Sequence, residues 1–217
     1  MMAPDADIYD YRALGGNGSG SYETITNAVN EAVADGCHII NMSLGGPSPN
    51  HNLFTAIRDA TKKGVIVVCA AGNEGDGNPL SNESSWPGNF REVINVGAVA
   101  KKDGLPAARF SNSNSEVDYA GIGVDVKSFQ PGGKMQSLSG TSMASPHVCG
   151  FITALMTKGG EYDNIIKGDA SLRELLNEKF VFDIGSKGTD QGTGLGFLTY
   201  LSEEEFEGGY LDLPDFD

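Results

Sequence analysis

Residues Ser139 to Gly150 read S-G-T-S-M-A-S-P-H-V-C-G and place Ser142 directly after a Gly-Thr bend. The serine also heads an apolar run that reaches Met156, long enough for a helix. A serine in the first turn of a helix shows its hydroxyl to solvent and keeps its own N–H unpaired over the positive end of the helix dipole. An acyl-transfer nucleophile needs that combination: an attacking oxygen, a donor for the oxyanion, and a field that favours negative charge. The plainer reading is a helix cap, where serine is common. His147 is five residues further along the same helix, so it projects from another face and is not placed to act as base for Ser142.

The elements that must hold this serine alternate strand and helix. Ile8–Leu14 reads as a strand, Gly15–Gly20 as a loop, and Tyr22–Ala34 as a helix with Ile25, Ala28, Val29, Ala32 and Val33 on one face. His38–Met42 is a short strand and Asn52–Lys63 a helix. Val65–Ala70 is a continuous apolar run, as a strand buried on both faces requires. Val93–Val99 is a further strand, and Asp118–Leu138 reads as short strands and turns. Ser142–Met156 and Ala170–Lys179 complete the set as helices. This order predicts an α/β domain with a mostly parallel sheet covered by helices on both faces. In such a sheet the site lies at the C-terminal ends of the strands. Leu14 leads into Gly18-Ser19-Gly20, Met42 into Ser43-Leu44-Gly45, and Ala70 into Ala71-Gly72-Asn73, so these loops are expected to share one cleft.

Length and charge bound the function classes. A chain of 217 residues with 30 glycines suits one loop-rich globular domain. No apolar run approaches membrane-span length, and residues 1–11 lack a signal-peptide core. A net charge of −14 argues against nucleic acid or an anionic membrane as partner. Residues 201–217 are expected to form an acidic, solvated tail behind a domain covering 1–200. Cys37, Cys69 and Cys149 are odd in number and sit in apolar contexts, so they read as core thiols of a reducing, cytoplasmic compartment.

Four segments together resemble the subtilisin-like serine proteases, and in character their intracellular branch: G-N-G-S-G-S-Y at Gly16–Tyr22, N-M-S-L-G-G at Asn41–Gly46, A-A-G-N-E-G at Ala70–Gly75 and G-T-S-M-A-S-P-H-V at Gly140–Val148. Weaker matches follow at Ala108–Asn112 and Gly192–Leu198. The resemblance implies a three-layer subtilisin-like fold, incomplete in its N-terminal strand region, and peptide-bond hydrolysis through an acyl-enzyme on Ser142. It implies that Asn73 supplies the oxyanion donor beside the Ser142 N–H, where a lone asparagine between glycines would otherwise read as a turn residue. Gly18, Ser19 and Gly20 on one side and Ser43, Leu44 and Gly45 on the other resemble the two edges that grip an extended polypeptide substrate. Leu14, Tyr22, Ile25 and Leu44 would line outlying pockets. Ala71 and Gly72, with the Ser43–Gly45 edge, would wall a roomy apolar primary pocket. Glu116 and Asp118 match carboxylates of a weak structural Ca2+ site in some relatives, beside the plainer reading of a solvated acidic turn; no catalytic cofactor is implied.

The family's aspartate turn, D-[ST]-G, and its histidine motif, H-G-T-H, do not occur in these residues. A serine nucleophile needs a base and a carboxylate that orients it. The expectation is therefore a chain nearly inactive alone, completed by a second chain or an additional segment carrying those groups. The alternatives are a catalytically dead peptide-binding remnant and a truncated gene product. In the family a strand lies between those matching Ile8–Leu14 and His38–Met42, so this chain is expected either to pair there with another polypeptide or to rearrange around the gap.

Overall fold

The computed structural model describes residues 3–102, 104–202 and 204–205. The elements run α1 (Tyr22–Ala34), β1 (Ile39–Met42), α2 (His51–Lys62), β2 (Ile66–Ala70), β3 (Ile94–Val99), β4 (Tyr119–Ile122), β5 (Val126–Phe129), β6 (Met135–Leu138), α3 (Thr141–Leu155), α4 (Asp169–Lys179), β7 (Val181–Phe182) and β8 (Phe197–Leu198). The main sheet has the order β1-β2-β3-β4-β8-β7, parallel except for the β7–β8 pair. The domain is thus α/β with a mostly parallel sheet, as its strand–helix alternation predicts.

Strand β2 shows why the sheet is covered on both faces. Ile66 and Val68 pack on one side with Val148, Phe151 and Ile152 of α3 and with Leu172 and Leu176 of α4. Val67 and Cys69 pack on the other with Ile25 and Val29 of α1 and with Leu53, Ile57 and Ala60 of α2. Alternate side chains of one strand therefore anchor two different helix layers. Full burial of a side chain such as Leu53 or Ile57 stabilises the fold by about 1.5–3 kcal/mol. The helices that carry these residues start where local chemistry dictates. Ser21 and Thr24 form a reciprocal capping box on α1, and the Asn50 side chain accepts from Asn52 and Leu53 N–H on α2.

The expected strand at Ile8–Leu14 does not form. Residues 11–14 are instead tied to α1, with the Tyr11 hydroxyl donating to Asp35 at 2.6 Å and the Thr24 hydroxyl donating to the Ala13 carbonyl at 3.1 Å. Ile8 is 86% exposed, and β1 is an edge strand of the described sheet. A strand needs a ladder partner as well as β-forming residues, and none faces Ile8–Leu14 here. Among the described residues no strand pairs with the outer side of β1. Only Leu201, Ser202, Glu204 and Glu205 of the expected acidic tail fall within the described residues.

The His147 ring pins α3 to the sheet. The Ile122 N–H donates to its Nδ1 at 3.1 Å, and burial pushes its pKa down to about 4. The imidazole is thus a neutral acceptor for backbone, with no bond to Ser142. Burial likewise raises the Cys149 thiol to about 11 and holds Cys69 protonated, so neither is a thiolate nucleophile at neutral pH.

Candidate active site

The loop after β2 and the start of α3 meet in one hydrogen-bonded knot. The Thr141 N–H donates to Asn73 Oδ1 at 2.8 Å, and the Thr141 hydroxyl contacts the same oxygen at 3.1 Å. That hydroxyl accepts in turn from the Gly72 N–H at 3.2 Å. With Oδ1 held from two sides, the orientation of the carboxamide follows: the amide nitrogen faces away from Thr141, and it has no acceptor among the described residues. The Ser142 N–H, in the first turn of α3, is also without an acceptor there. Two orphan donors on adjoining elements are what an oxyanion requires.

Ser142 Oγ donates to the Ser43 carbonyl at 3.3 Å, a long bond to an acceptor that is not a base. The carbonyl orients the hydroxyl and cannot take its proton. Among the described residues, no histidine or carboxylate is hydrogen-bonded to Ser142. A second chain of bonds locks β1 to α3: the Ser145 hydroxyl donates to Asn41 Oδ1 at 2.6 Å, and Asn41 Nδ2 donates to Ser43 Oγ at 3.0 Å. Ser145 is fully buried, so the register of the Ser43–Gly45 edge against Ser142 is fixed from within the core.

The two glycine edges have different states. Leu44 and Gly45 offer N–H groups with no acceptor among the described residues, while Gly46 is already paired in both directions with Trp86 at 2.9 Å. The opposite edge is folded on itself. The Ser19 carbonyl accepts from Gly15 N–H at 2.8 Å, and the Ser19 N–H donates to Asn17 Oδ1 at 3.0 Å. Gly18 has φ +76°, which closes the turn. Leu14, Tyr22 and Leu44 lie half-buried against the α1–α2 cluster, and Ile25 is buried within it. The Tyr22 hydroxyl donates to the Ser48 carbonyl at 2.5 Å, tying the edges together.

Beside Ser142 is a cavity of about 140 Å³ lined by Leu44, Gly45, Ala70, Gly72, Asn73, Glu74, Ser85 and Thr141. Two expectations are corrected here. Ala71 does not line the cavity; it is buried, with its N–H donated to the Val96 carbonyl at 3.0 Å. Nor is the slot roomy and apolar, because Glu74, Ser85, Asn73 and Thr141 make much of its wall polar. Ser85 and Glu74 were missed in the sequence because the S-S-W-P stretch carries no chemical pattern of its own, and Glu74 reads as part of a turn.

Glu116 and Asp118 do not fit a cation site. Arg173 Nη1 pairs with Asp118 Oδ1, and the Asn95 N–H donates to Asp118 Oδ2 at 2.8 Å. Arg173 also binds Asp169 at 2.8 Å and the Val93 carbonyl at 2.6 Å, and the two carboxylates hold its charge against the burial that opposes it. Glu116 faces Arg91 at 3.5 Å. The oxygens a cation would take are engaged by arginines and backbone. Among the described residues no group of three or more His, Cys, Asp or Glu side chains is gathered for a metal, and no helix is long and apolar enough to cross a membrane.

Comparison with known proteins agrees with this geometry. The subtilase (peptidase S8) family model matches residues 1–196. The chain is 41% identical over 204 residues to the "Major intracellular serine protease" of Bacillus subtilis (strain 168), covering 93% of this chain and 63% of that protein. It is 37% identical over 203 residues to the "Intracellular serine protease" of Paenibacillus polymyxa, covering 93% and 61%. The chain therefore spans a little under two thirds of these relatives' length. Among solved structures, Sphericase superposes with a TM-score of 0.79 at 30% identity, over 90% of this chain and 69% of its own. Its serine, its asparagine and the glycine edges that flank them are thus set in a subtilisin-like frame, and the chain belongs to the subtilase family of serine proteases.

Proposed function

We propose that this chain is the nucleophile and oxyanion-binding portion of an intracellular subtilisin-like serine endopeptidase. Ser142 Oγ attacks the scissile carbonyl of a polypeptide held along the Ser43–Gly45 edge, and the Gly18–Gly20 edge grips it from the other side once Ser19 gives up its bonds to Gly15 and Asn17. The tetrahedral oxyanion is received by the Ser142 N–H and the Asn73 carboxamide. The proton acceptor, a histidine oriented by an aspartate, comes from a segment outside these residues, on a second polypeptide or continuous with this one.

One observation carries the reading: Ser142 and Asn73 are held in register through Thr141, with both oxyanion donors unengaged. An outside base is supported by the lack of any base hydrogen-bonded to Ser142 among the described residues. The β1 edge beside the Ser43 loop, unpaired among the described residues, gives such a segment a place to pair. The intracellular setting is supported by the free cysteines and by the names of the relatives in Bacillus subtilis and Paenibacillus polymyxa. The test is hydrolysis of an extended peptide by the purified chain, alone and mixed with a polypeptide carrying the D-[ST]-G and H-G-T-H motifs. Cleavage in the mixture alone is expected; equal rates in both, or none in either, contradict the proposal. Peptide binding without cleavage in either arm would favour the second reading, a remnant whose open Leu44–Gly45 edge still grips peptides.

A further inference from the structure

We propose that the β5–β6 hairpin is a docking face for the part of a polypeptide substrate that lies beyond the cleaved bond, and that it prefers a segment in which carboxylates alternate with apolar side chains. The proposal rests on the acyl part of the substrate occupying the Ser43–Gly45 edge, as the proposed function has it.

The hairpin stands apart from the main sheet and has no third strand among the described residues. On it Phe129, Met135 and Leu138 are 73%, 54% and 46% exposed. Phe129 lies directly opposite Met135, and Val126 opposite Leu138. Side chains alternate along a strand, so the first two make an apolar pair on one face and the second two a pair on the other. The outer margin of β6 is open as well. The Gln130 N–H donates to the Lys134 carbonyl at 2.9 Å, and bonding in an antiparallel ladder alternates, so Met135 and Ser137 turn their N–H and C=O groups away from β5. Those groups have no partner among the described residues. An exposed edge with apolar side chains on both faces is a template for one more extended strand.

Position says which strand. Ser43 follows β1 and the hairpin follows β4, three places across the sheet, and β6 continues through Ser139 and Gly140 into Thr141 and Ser142. The base of the hairpin is fixed: Ser139 Oγ accepts from the Asp125 N–H at 2.9 Å, and the Gly140 N–H donates to the Gly123 carbonyl at 2.8 Å. A polypeptide lying on the Ser43–Gly45 edge with its carbonyl at Ser142 Oγ therefore meets β6 only with residues C-terminal to the cleaved bond.

Charge says what that segment carries. The whole chain has 29 acidic and 15 basic residues, yet residues 126–138 hold Lys127 and Lys134 and no carboxylate. Lys127 shares the face of Phe129 and Met135, and Lys134 is exposed beside the turn. A cationic, apolar face on a strongly acidic protein attracts acidic segments that the rest of the surface repels.

The test measures binding to the purified chain by fluorescence anisotropy. Two labelled peptides share the pattern Ala-Leu-X-Val-X-Leu-X-Ala, with X as glutamate or lysine, and a third replaces the leucines and valine of the glutamate peptide by serine. The glutamate peptide is expected to bind about tenfold more tightly than either of the others. Lys134→Glu should cut the glutamate-over-lysine ratio to about threefold or less, and Phe129→Ser should weaken the glutamate peptide about fivefold or more. The net charge of −14 favours the lysine peptide, so a preference for glutamate cannot come from the overall field. Equal or tighter binding of the lysine or serine peptide overturns the proposal, as does a ratio unmoved by Lys134→Glu or an affinity unmoved by Phe129→Ser. Sedimentation covers the other occupant: a dimer that Phe129→Ser splits into monomers assigns the face to a second copy, and the proposal fails. Fluorophosphonate labelling of Ser142, in the mixture with the polypeptide carrying the histidine and aspartate motifs, separates the two readings. Labelling without a glutamate preference sinks this proposal alone, and neither labelling nor peptide binding sinks the nucleophile reading with it.

Discussion

Asn73 Oδ1 accepts from the Thr141 backbone N–H at 2.8 Å, so the residue before the nucleophile is what orients the oxyanion donor. The bond joins the loop after β2 to the first turn of α3 across 68 residues of sequence. It converts a flexible carboxamide into a fixed dipole before any substrate arrives, which is where such donors gain their value.

Removing that side chain should act on chemistry as well as on stability, since the buried Thr141 N–H loses its acceptor with it. Asn73→Ala is expected to lower the activity of the completed enzyme by on the order of 10²–10³, the magnitude established for subtilisin's own oxyanion asparagine. The drop should fall on kcat with KM nearly unchanged. A loss confined to KM would assign Asn73 to ground-state binding instead.

Thr141→Val tests the orientation separately. The variant keeps the backbone bond to Asn73 but deletes the hydroxyl that bridges Gly72 and Asn73. It leaves a buried N–H without a partner, so thermal unfolding should register a loss of about 1–3 kcal/mol. Activity should fall as well, by less than in Asn73→Ala. Unchanged stability would mean that water replaces the hydroxyl.

Arg173 joins α4 to the starts of β3 and β4 through the Val93 carbonyl and Asp118, and it also pairs with Asp169 within α4. Arg173→Met strands two partly buried carboxylates, and a loss on the order of 3–5 kcal/mol is expected in denaturant unfolding. Arg173→Lys should recover little, since one ammonium cannot reproduce a three-way fork. Added Ca2+ should not raise the wild-type Tm; a rise of several degrees at millimolar Ca2+ would contradict the account of Glu116 and Asp118.

His147 gives the fold an acid limit. Its folded pKa is about 4 against an ordinary 6.5, so the unfolded chain takes up the proton first. Stability from this group is complete above pH 6.5 and is lost as pH falls from 6.5 to 4, on the order of 3 kcal/mol in all. His147→Gln should flatten the stability profile over that window. An unchanged slope would place the acid sensitivity elsewhere.

Much of this site is legible in the residues. Ser142 and Asn73 stand in motifs whose glycines and helix-start pattern carry their own chemical meaning, and β2 declares itself as an unbroken apolar run. Ile8–Leu14 misleads because strand formation is decided by a neighbour, not by the segment. Ser85, Thr141 and Ser145 are illegible for a different reason. Each is an ordinary hydroxyl residue whose role comes from a partner tens of residues away: Asn41 for Ser145, Asn73 for Thr141, and the glycine-walled cavity for Ser85. The polar pocket escapes a reading that sees only the small residues of its walls.

The most direct measurement is the rate at which a fluorophosphonate labels Ser142 in the purified chain, alone and with a polypeptide supplying the histidine and aspartate motifs. The account predicts slow labelling alone, acceleration by orders of magnitude in the mixture, and none in Ser142→Ala. Fast labelling by the solitary chain would mean that a base within these residues already serves the hydroxyl, and the account would be wrong.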